Sequence, residues 1–288
     1  MTHVSARRGA FYVSVAATAW GTGGAAGSLL FQTGGLGPLG VSLWRYLLGA
    51  VFLLVLARPV LRAINGRVLI AGVGMAVYQA AYFAAIAQSG VAVATVVTMG
   101  ATPVFTALGS RFLLHERLGR TALAALAAAL AGLALLTGES ALQARASSMA
   151  GISFALISAA GYAGVTLFSR RHKDDDPRGM AIGGFLVGAV CLAPFALMEG
   201  VVPEVSWTSL GLLAYLGAVP TALAYGLFFR ALTALRATTV SIISLGEAVG
   251  AALLGVALFG ERLTPLAWCG CALLLAAVAV LASRADAA

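Results

Sequence analysis

LGEAVGAALLGVALFGERL, the stretch Leu245–Leu263, sets a carboxylate, Glu247, inside an otherwise apolar run and closes on the triplet Glu261-Arg262-Leu263. The same triplet, Glu116-Arg117-Leu118, stands 145 positions earlier, again at the end of a long apolar run. That offset is half of the 288 residues, so the chain reads as one five-helix module written twice, residues 1–143 and 144–288. At the same offset Ala92 pairs with Ala237, Val104 with Val249, Leu113 with Leu258, and Leu130-Ala131 with Leu275-Ala276, without a gap. An odd number of spans per copy makes the second copy enter the membrane upside down. Inverted bundles of this kind enclose a site near the bilayer midplane.

Composition carries the same message. Hydrophobic residues make up 61% of the chain and charged residues only 10%, against about 25% charged in a soluble domain. Uncharged apolar runs of about 20 residues recur from end to end, the length a spanning helix needs. Thirty-five glycines and the lack of alternating ten-residue segments argue against a membrane barrel. The expected class is therefore an all-α integral membrane protein of ten transmembrane helices, two inverted-topology five-helix repeats around a central cavity. The net charge of +8 sits in scattered short loops without interleaved aromatics, so no nucleic-acid footprint is expected. Cys269 and Cys271 are two apart and so on opposite sides of a helix, which implies neither a shared metal nor a disulfide. Arg7-Arg8 ahead of the first apolar run imitates a signal peptide, but no hydrophilic domain follows, and the run is read as a span.

The spans are placed at residues 10–31, 39–57, 68–88, 91–114, 119–137, 149–170, 178–199, 207–230, 237–260 and 264–283. With the N-terminus in the cytoplasm, fifteen Arg and Lys residues fall inside, and only Arg145 and Arg262 fall outside. Under the positive-inside rule that bias puts both termini in the cytoplasm of a bacterial inner membrane. The cluster from Arg170 to Arg178 is read as a solvated turn between the sixth and seventh spans.

Glu247 lies about ten residues from either end of its span, hence roughly 15 Å from each interface. Intramembrane carboxylates are costly and usually functional. This one either binds a substrate ammonium or a coupling proton, or makes a packing hydrogen bond. Tyr78, Gln79 and Tyr82 stand at mid-span in the third helix. Tyr78 and Tyr82 share a face, and their hydroxyls need protein or a cavity rather than lipid. Trp20 and Tyr162 occupy similar depths in spans one and six. Thr98, Thr102, Ser241 and Ser244 either face a polar solute or bond to their own helices. Pro103, Pro194 and Pro220 are candidate bending points. Gly21, Gly23, Gly24 and Gly27 form a face suited to close helix packing. Arg45, six residues into the second span, is expected to reach the outer interface or a loop acid in a structural role.

Five-plus-five spans, Ala19-Trp20-Gly21 in the first, Leu43-Trp44-Arg45-Tyr46 early in the second, and Glu-Arg-Leu after the fourth and ninth resemble the drug/metabolite transporter superfamily, in its EamA-type branch. Among its members the chain looks most like the YddG-type bacterial amino-acid exporters. The sequence departs from the family's pattern in having Ala248, not proline, after Glu247, while Thr102-Pro103 keeps the proline in the other copy. The resemblance implies a ten-helix basket with a cavity lined by spans 1, 3, 4, 6, 8 and 9 that opens alternately to each side.

The expected function is a secondary transporter exporting small amphipathic metabolites, amino acids foremost. A cation-compound exporter of the same fold is the alternative. The expected substrate cavity is Trp20, Tyr78, Gln79, Tyr82, Thr98, Tyr162, Ser244 and Glu247. Metal ligands, catalytic residues and a cofactor are not expected, because no span carries a histidine or an aspartate pair. The partners are the small-molecule substrate and membrane lipid, with no obligate protein partner.

Overall fold

The computed structural model describes residues 4–57, 65–116, 118–143, 148–260 and 262–284, and every regular element among them is helical. Ten rods follow in order: α1 (Ala6–Thr33), α2 (Pro38–Ala57), α3 (Gly66–Gly90), α4 (Val93–Leu113), α5 (Arg120–Gln143), α6 (Met149–Arg171), α7 (Pro177–Glu199), α8 (Trp207–Ala234), α9 (Ala237–Leu258) and α10 (Pro265–Ser283). Starts are set by local chemistry. Ser5, Asn65, Ser148, Ser206 and Thr264 each turn a side-chain oxygen onto a free N–H of the following first turn. In the polar cluster after α6, Asp176 caps α7 by accepting from Arg178 and Gly179 N–H, and Pro177 supplies the first helical residue.

Nine of these rods, α2 to α10, have the length and apolarity of membrane spans. The remaining one, α1, has 28 residues but is diluted by Ser14, Thr18, Thr22 and the glycines Gly21, Gly23, Gly24 and Gly27. The expected loop between the third and fourth spans is absent. One helical run, Gly66–Leu113, is interrupted only at Gly90, whose φ of 76° and ψ of 163° belong to a region open to glycine alone.

Contacts sort the helix ends into two groups. Arg171 donates to the Leu113 carbonyl, Arg170 to the Leu232 carbonyl, Arg67 pairs with Asp175, and Arg284 donates to Thr121. These join the starts of α3, α5 and α7 to the ends of α4, α6, α8 and α10, forming an arginine-rich end. At the opposite end Glu199 accepts from Leu39 and Gly40 N–H at the start of α2 (2.6 and 3.1 Å), Glu204 N–H donates to Gly34 O, and Ser209 donates to Thr33 O. Gly9 at the start of α1 packs on Leu235, just after α8, so both described chain ends lie at the arginine-rich end. This is the consequence of an even number of crossings.

The main buried cluster draws on α1 to α3 and α5 to α10, and within it Tyr46, Met75, Phe185, Leu192, Phe228, Ile242 and Ile243 are almost wholly enclosed. α5 and α10 pack on each other at the flank.

Candidate functional site

Two local departures from regular helix build the site. In α8 the segment Ala218–Leu223 winds as a π-helix. Pro220 has no N–H to give to the carbonyl four residues back, Leu216 O. Thr221 Oγ1 donates to that carbonyl instead, at 2.7 Å. The same hydroxyl accepts from Arg45 Nε at 3.3 Å. Arg45 therefore turns into the bundle, not out to the interface as the sequence suggests. The reason lies in the facing helix, where the π-turn offers a buried hydroxyl. Gly49, one turn on from Arg45, permits the approach, because a Cβ there would meet Thr221 Cγ2 at 2.6 Å.

In α9 the helix tightens at Leu245. Leu245 N–H donates to Ile242 O and Ala248 N–H to Leu245 O, both at 3.1 Å, dividing the span into Ala237–Ser244 and Gly246–Phe259. Glu247 falls in the first turn after this tightening. α1 crosses α9 at this level. A Cβ on Gly21 would lie 2.8 Å from the Glu247 carbonyl oxygen, so only glycine lets the helices meet. Glu247 is half-buried and interacts electrostatically with Arg45, Tyr82 and Tyr162.

An aromatic layer adjoins these charges. Trp20 packs edge-on to Tyr225 and Phe228 (centroids 5.1 and 5.4 Å), and Tyr162 packs on Tyr78 and Phe228 (5.3 and 5.9 Å). The Tyr78 hydroxyl bonds that of Tyr225 and receives a 3.4 Å bond from Tyr46. Of the residues singled out from sequence, Trp20, Tyr78 and Tyr162 thus meet in one layer. Tyr162 also lies beside Ser244 and Glu247. Tyr82 bonds Thr95 Oγ1 at 2.7 Å, and Thr98 reaches across to Ala155 O at 3.2 Å, tying α4 to α6. Gln79 stands apart, buried between α2 and α3 with its amide donating to Ser42 Oγ at 2.9 Å. Thr102 and Ser244 bond their own helices, to Thr98 O and Val240 O. Tyr46 and Tyr225 were not singled out, although the rule applied to Tyr78, a phenol far from either helix end, would have found Tyr225. Arg45 was noticed but aimed wrongly.

Between the aromatic layer and the arginine-rich end lie an ion pair and a group of buried polar side chains. Arg170 pairs with Glu116 at 3.0 Å, both largely shielded, and also donates to Leu232 O and Thr233 O at the end of α8. Ser110 Oγ, Glu116 Oε2, Ser169 Oγ, Thr238 Oγ1 and Ser241 Oγ, with Trp20 Nε1 in the layer itself, are buried without a hydrogen-bond partner. Such groups are uncommon and each costs roughly 1–3 kcal/mol. On the other side of the layer, Thr22, Gly23, Thr95, Val96, Val97 and Thr98 are partly exposed, and Gly24 is open. Pro220 sits in the π-segment, whereas Pro103 and Pro194 lie inside continuous helix. Among the described residues no three His, Cys, Asp or Glu side chains cluster as metal ligands would, and Cys269 is exposed while Cys271 is buried. Arg117 and Glu261, members of the two repeated triplets, lie outside the described residues, as does Arg145.

An all-helical membrane bundle with interrupted spans around polar and charged mid-depth groups defines a polytopic membrane protein of the carrier type. The model of the EamA-like transporter family matches the chain twice, over residues 7–138 and 149–283, and the protein belongs to that family. It is 32% identical over 283 residues to the uncharacterized transporter YwfM of Bacillus subtilis (strain 168), covering 94% of this chain and 93% of that protein. An uncharacterized transporter of Archaeoglobus fulgidus is 32% identical over 212 residues, covering 72% and 74% of the two chains. One crystal structure superposes with a TM-score of 0.83 at 23% identity, covering 94% of this chain and 97% of that one, a likeness of fold.

Proposed function

We propose that the protein exports small amphipathic metabolites, amino acids foremost, across a bacterial inner membrane by alternating access. The supporting observation is Glu247, a half-buried carboxylate in the first turn after a mid-span interruption, beside the tyrosines of an aromatic layer. A carboxylate suits a substrate ammonium, the rings suit an apolar side chain, and Thr98 and Ser244 supply hydroxyls. The substrate cavity is accordingly Trp20, Tyr78, Tyr82, Thr98, Tyr162, Ser244 and Glu247, with Gln79 supporting it from the α2–α3 interface. The two halves, residues 1–143 and 144–288, are the inverted repeats that rock against each other. The positive-inside bias assigns the arginine-rich end to the cytoplasm, together with both termini. In this reading the structure is shut toward the cytoplasm. The orphaned hydroxyls of Ser110, Ser169, Thr238 and Ser241 are the lining of a half-passage that water enters in the other state.

A second reading, export of organic cations, draws on the same acid and tyrosines. Proteoliposomes given labelled amino acids in one arm and labelled quaternary ammonium compounds in the other separate the two. Amino-acid flux supports the first reading. Flux of the quaternary compounds alone supports the second, and ionic currents without saturable flux of either would remove both.

A further inference from the structure

Arg45 is the feature of this bundle that a purely structural role explains least. An arginine this deep in a span is expensive and is normally neutralised by a close acid or drawn to the interface. Arg45 has neither. Among the described residues its hydrogen bond is the one from Nε to Thr221 Oγ1, a neutral group, and it makes no salt bridge. Glu247, on a different helix, forms no ion pair with it among the described residues. Tyr46 and Tyr225, two phenols of the aromatic layer, lie within the arginine's field.

The chain Arg45 Nε to Thr221 Oγ1 to Leu216 O holds the guanidinium by one edge. Its position is fixed by the π-turn that contains Pro220 and Thr221. A guanidinium anchored through Nε still has its two terminal nitrogens, a planar fork that matches a carboxylate with two parallel hydrogen bonds. Pro220, beside Thr221, packs on Gly23 of α1, and the Glu247 backbone packs on Gly21 of the same helix, so the arginine's anchor and the acid flank one stretch of α1. A molecule carrying an ammonium and a carboxylate on one carbon gives each a partner at once, whereas a simple cation leaves Arg45 uncompensated.

We propose that Arg45 is the specificity-determining residue for a substrate carboxylate, so that the passage takes α-amino acid zwitterions, carboxylate on Arg45, ammonium on Glu247 and side chain against the Trp20–Tyr162–Tyr225 layer. This rests on the amino-acid reading above and sharpens it. Thr221 is a positioning residue that acts through Arg45.

The test uses purified full-length protein and three ligands that share one side chain. They are L-leucine, 3-methylbutylamine (the same skeleton without the carboxylate) and 4-methylpentanoate (without the amine). Affinities come from ligand-induced thermal shifts. Wild type binds leucine at least about tenfold more tightly than the amine, the effect of one charge-assisted contact. Arg45→Gln brings that ratio close to one while keeping affinity for the amine, which shows the variant to be folded. Glu247→Gln produces the mirror result, leucine and 4-methylpentanoate becoming equal. Arg45→Lys, with charge but no fork, falls between, and Thr221→Val weakens leucine binding without altering that for the amine. If wild type binds leucine but Arg45→Gln leaves the leucine-to-amine ratio unchanged, the assignment of Arg45 is wrong and the amino-acid reading stands. If wild type binds the amine better than leucine, the amino-acid reading falls and this inference with it.

Discussion

The two ends of the bundle are built differently. At the arginine-rich end a largely shielded ion pair, Arg170–Glu116, joins α6 to the turn after α4, and the same guanidinium holds the last carbonyls of α8. At the opposite end the carboxylate of Glu199 caps α2, and Trp44 donates to Val201 O, so the contacts join α2 to α7 and its exit. The first set fastens helices that border the aromatic layer. The second fastens α2 to α7, which reach the layer through Tyr46 and Phe185. Among the described residues the orphaned hydroxyl and carboxylate oxygens gather beside the first, and the Trp20 Nε1 lies in the layer itself. Hydroxyls sealed in without partners destabilise the arrangement that seals them, so a seal of this kind is poised for release, whereas satisfied caps belong to a frame that stays together.

Four substitutions sharpen that contrast, in falling order of effect. Glu247→Gln removes the charge at mid-passage and should cut amino-acid flux on the order of a hundredfold, the scale of losing one partner of a desolvated charged contact. Initial rates in proteoliposomes read it. Near-normal flux with unchanged pH dependence would assign the residue to packing. Gly21→Val forces a side chain onto the Glu247 backbone where α1 crosses α9. It should destabilise the fold by about 1–3 kcal/mol, seen as a lowered unfolding midpoint in detergent. Arg170→Ala breaks a shielded pair and two carbonyl contacts and should cost about 1–2 kcal/mol in the same assay, after allowance for residual water access. Arg67→Ala, at the same end, removes a pair whose side chains are 51% and 30% exposed, and should change stability by no more than about 1 kcal/mol. Equal effects of the last two would mean that the Arg170 pair is no clasp.

Sequence periodicity revealed the rods because each had to be apolar over a membrane's thickness, and Glu247 was conspicuous as the acid inside one of them. Tyr78 was readable for a related reason, since a polar atom at mid-depth must have somewhere to go, whereas Trp20 and Tyr162 were read from depth alone and the Trp20 indole N–H finds no partner among the described residues. The direction of Arg45 was not readable. It depends on a π-turn whose Thr221, 176 positions away in the chain, takes the Leu216 carbonyl that Pro220 leaves free. Gln79 misled for the same reason in reverse. Its depth matched that of the tyrosines, but the neighbour that satisfies it, Ser42, lies on another helix. The weak apolarity of α1 was also underrated, since its small and hydroxylic residues let α9 come close rather than meet lipid.

The most direct test of a single passage that opens to one side at a time is reciprocal labelling. Thr98→Cys and Ser241→Cys are made separately in a chain whose native Cys191, Cys269 and Cys271 are replaced, and sided vesicles receive an impermeant thiol reagent. Thr98→Cys should react from the face opposite the arginine-rich end, while Ser241→Cys stays protected. Adding Arg170→Ala should raise labelling of the second from the arginine-rich face and lower that of the first. Labelling of both sites rising together would describe a continuous pore and contradict the account.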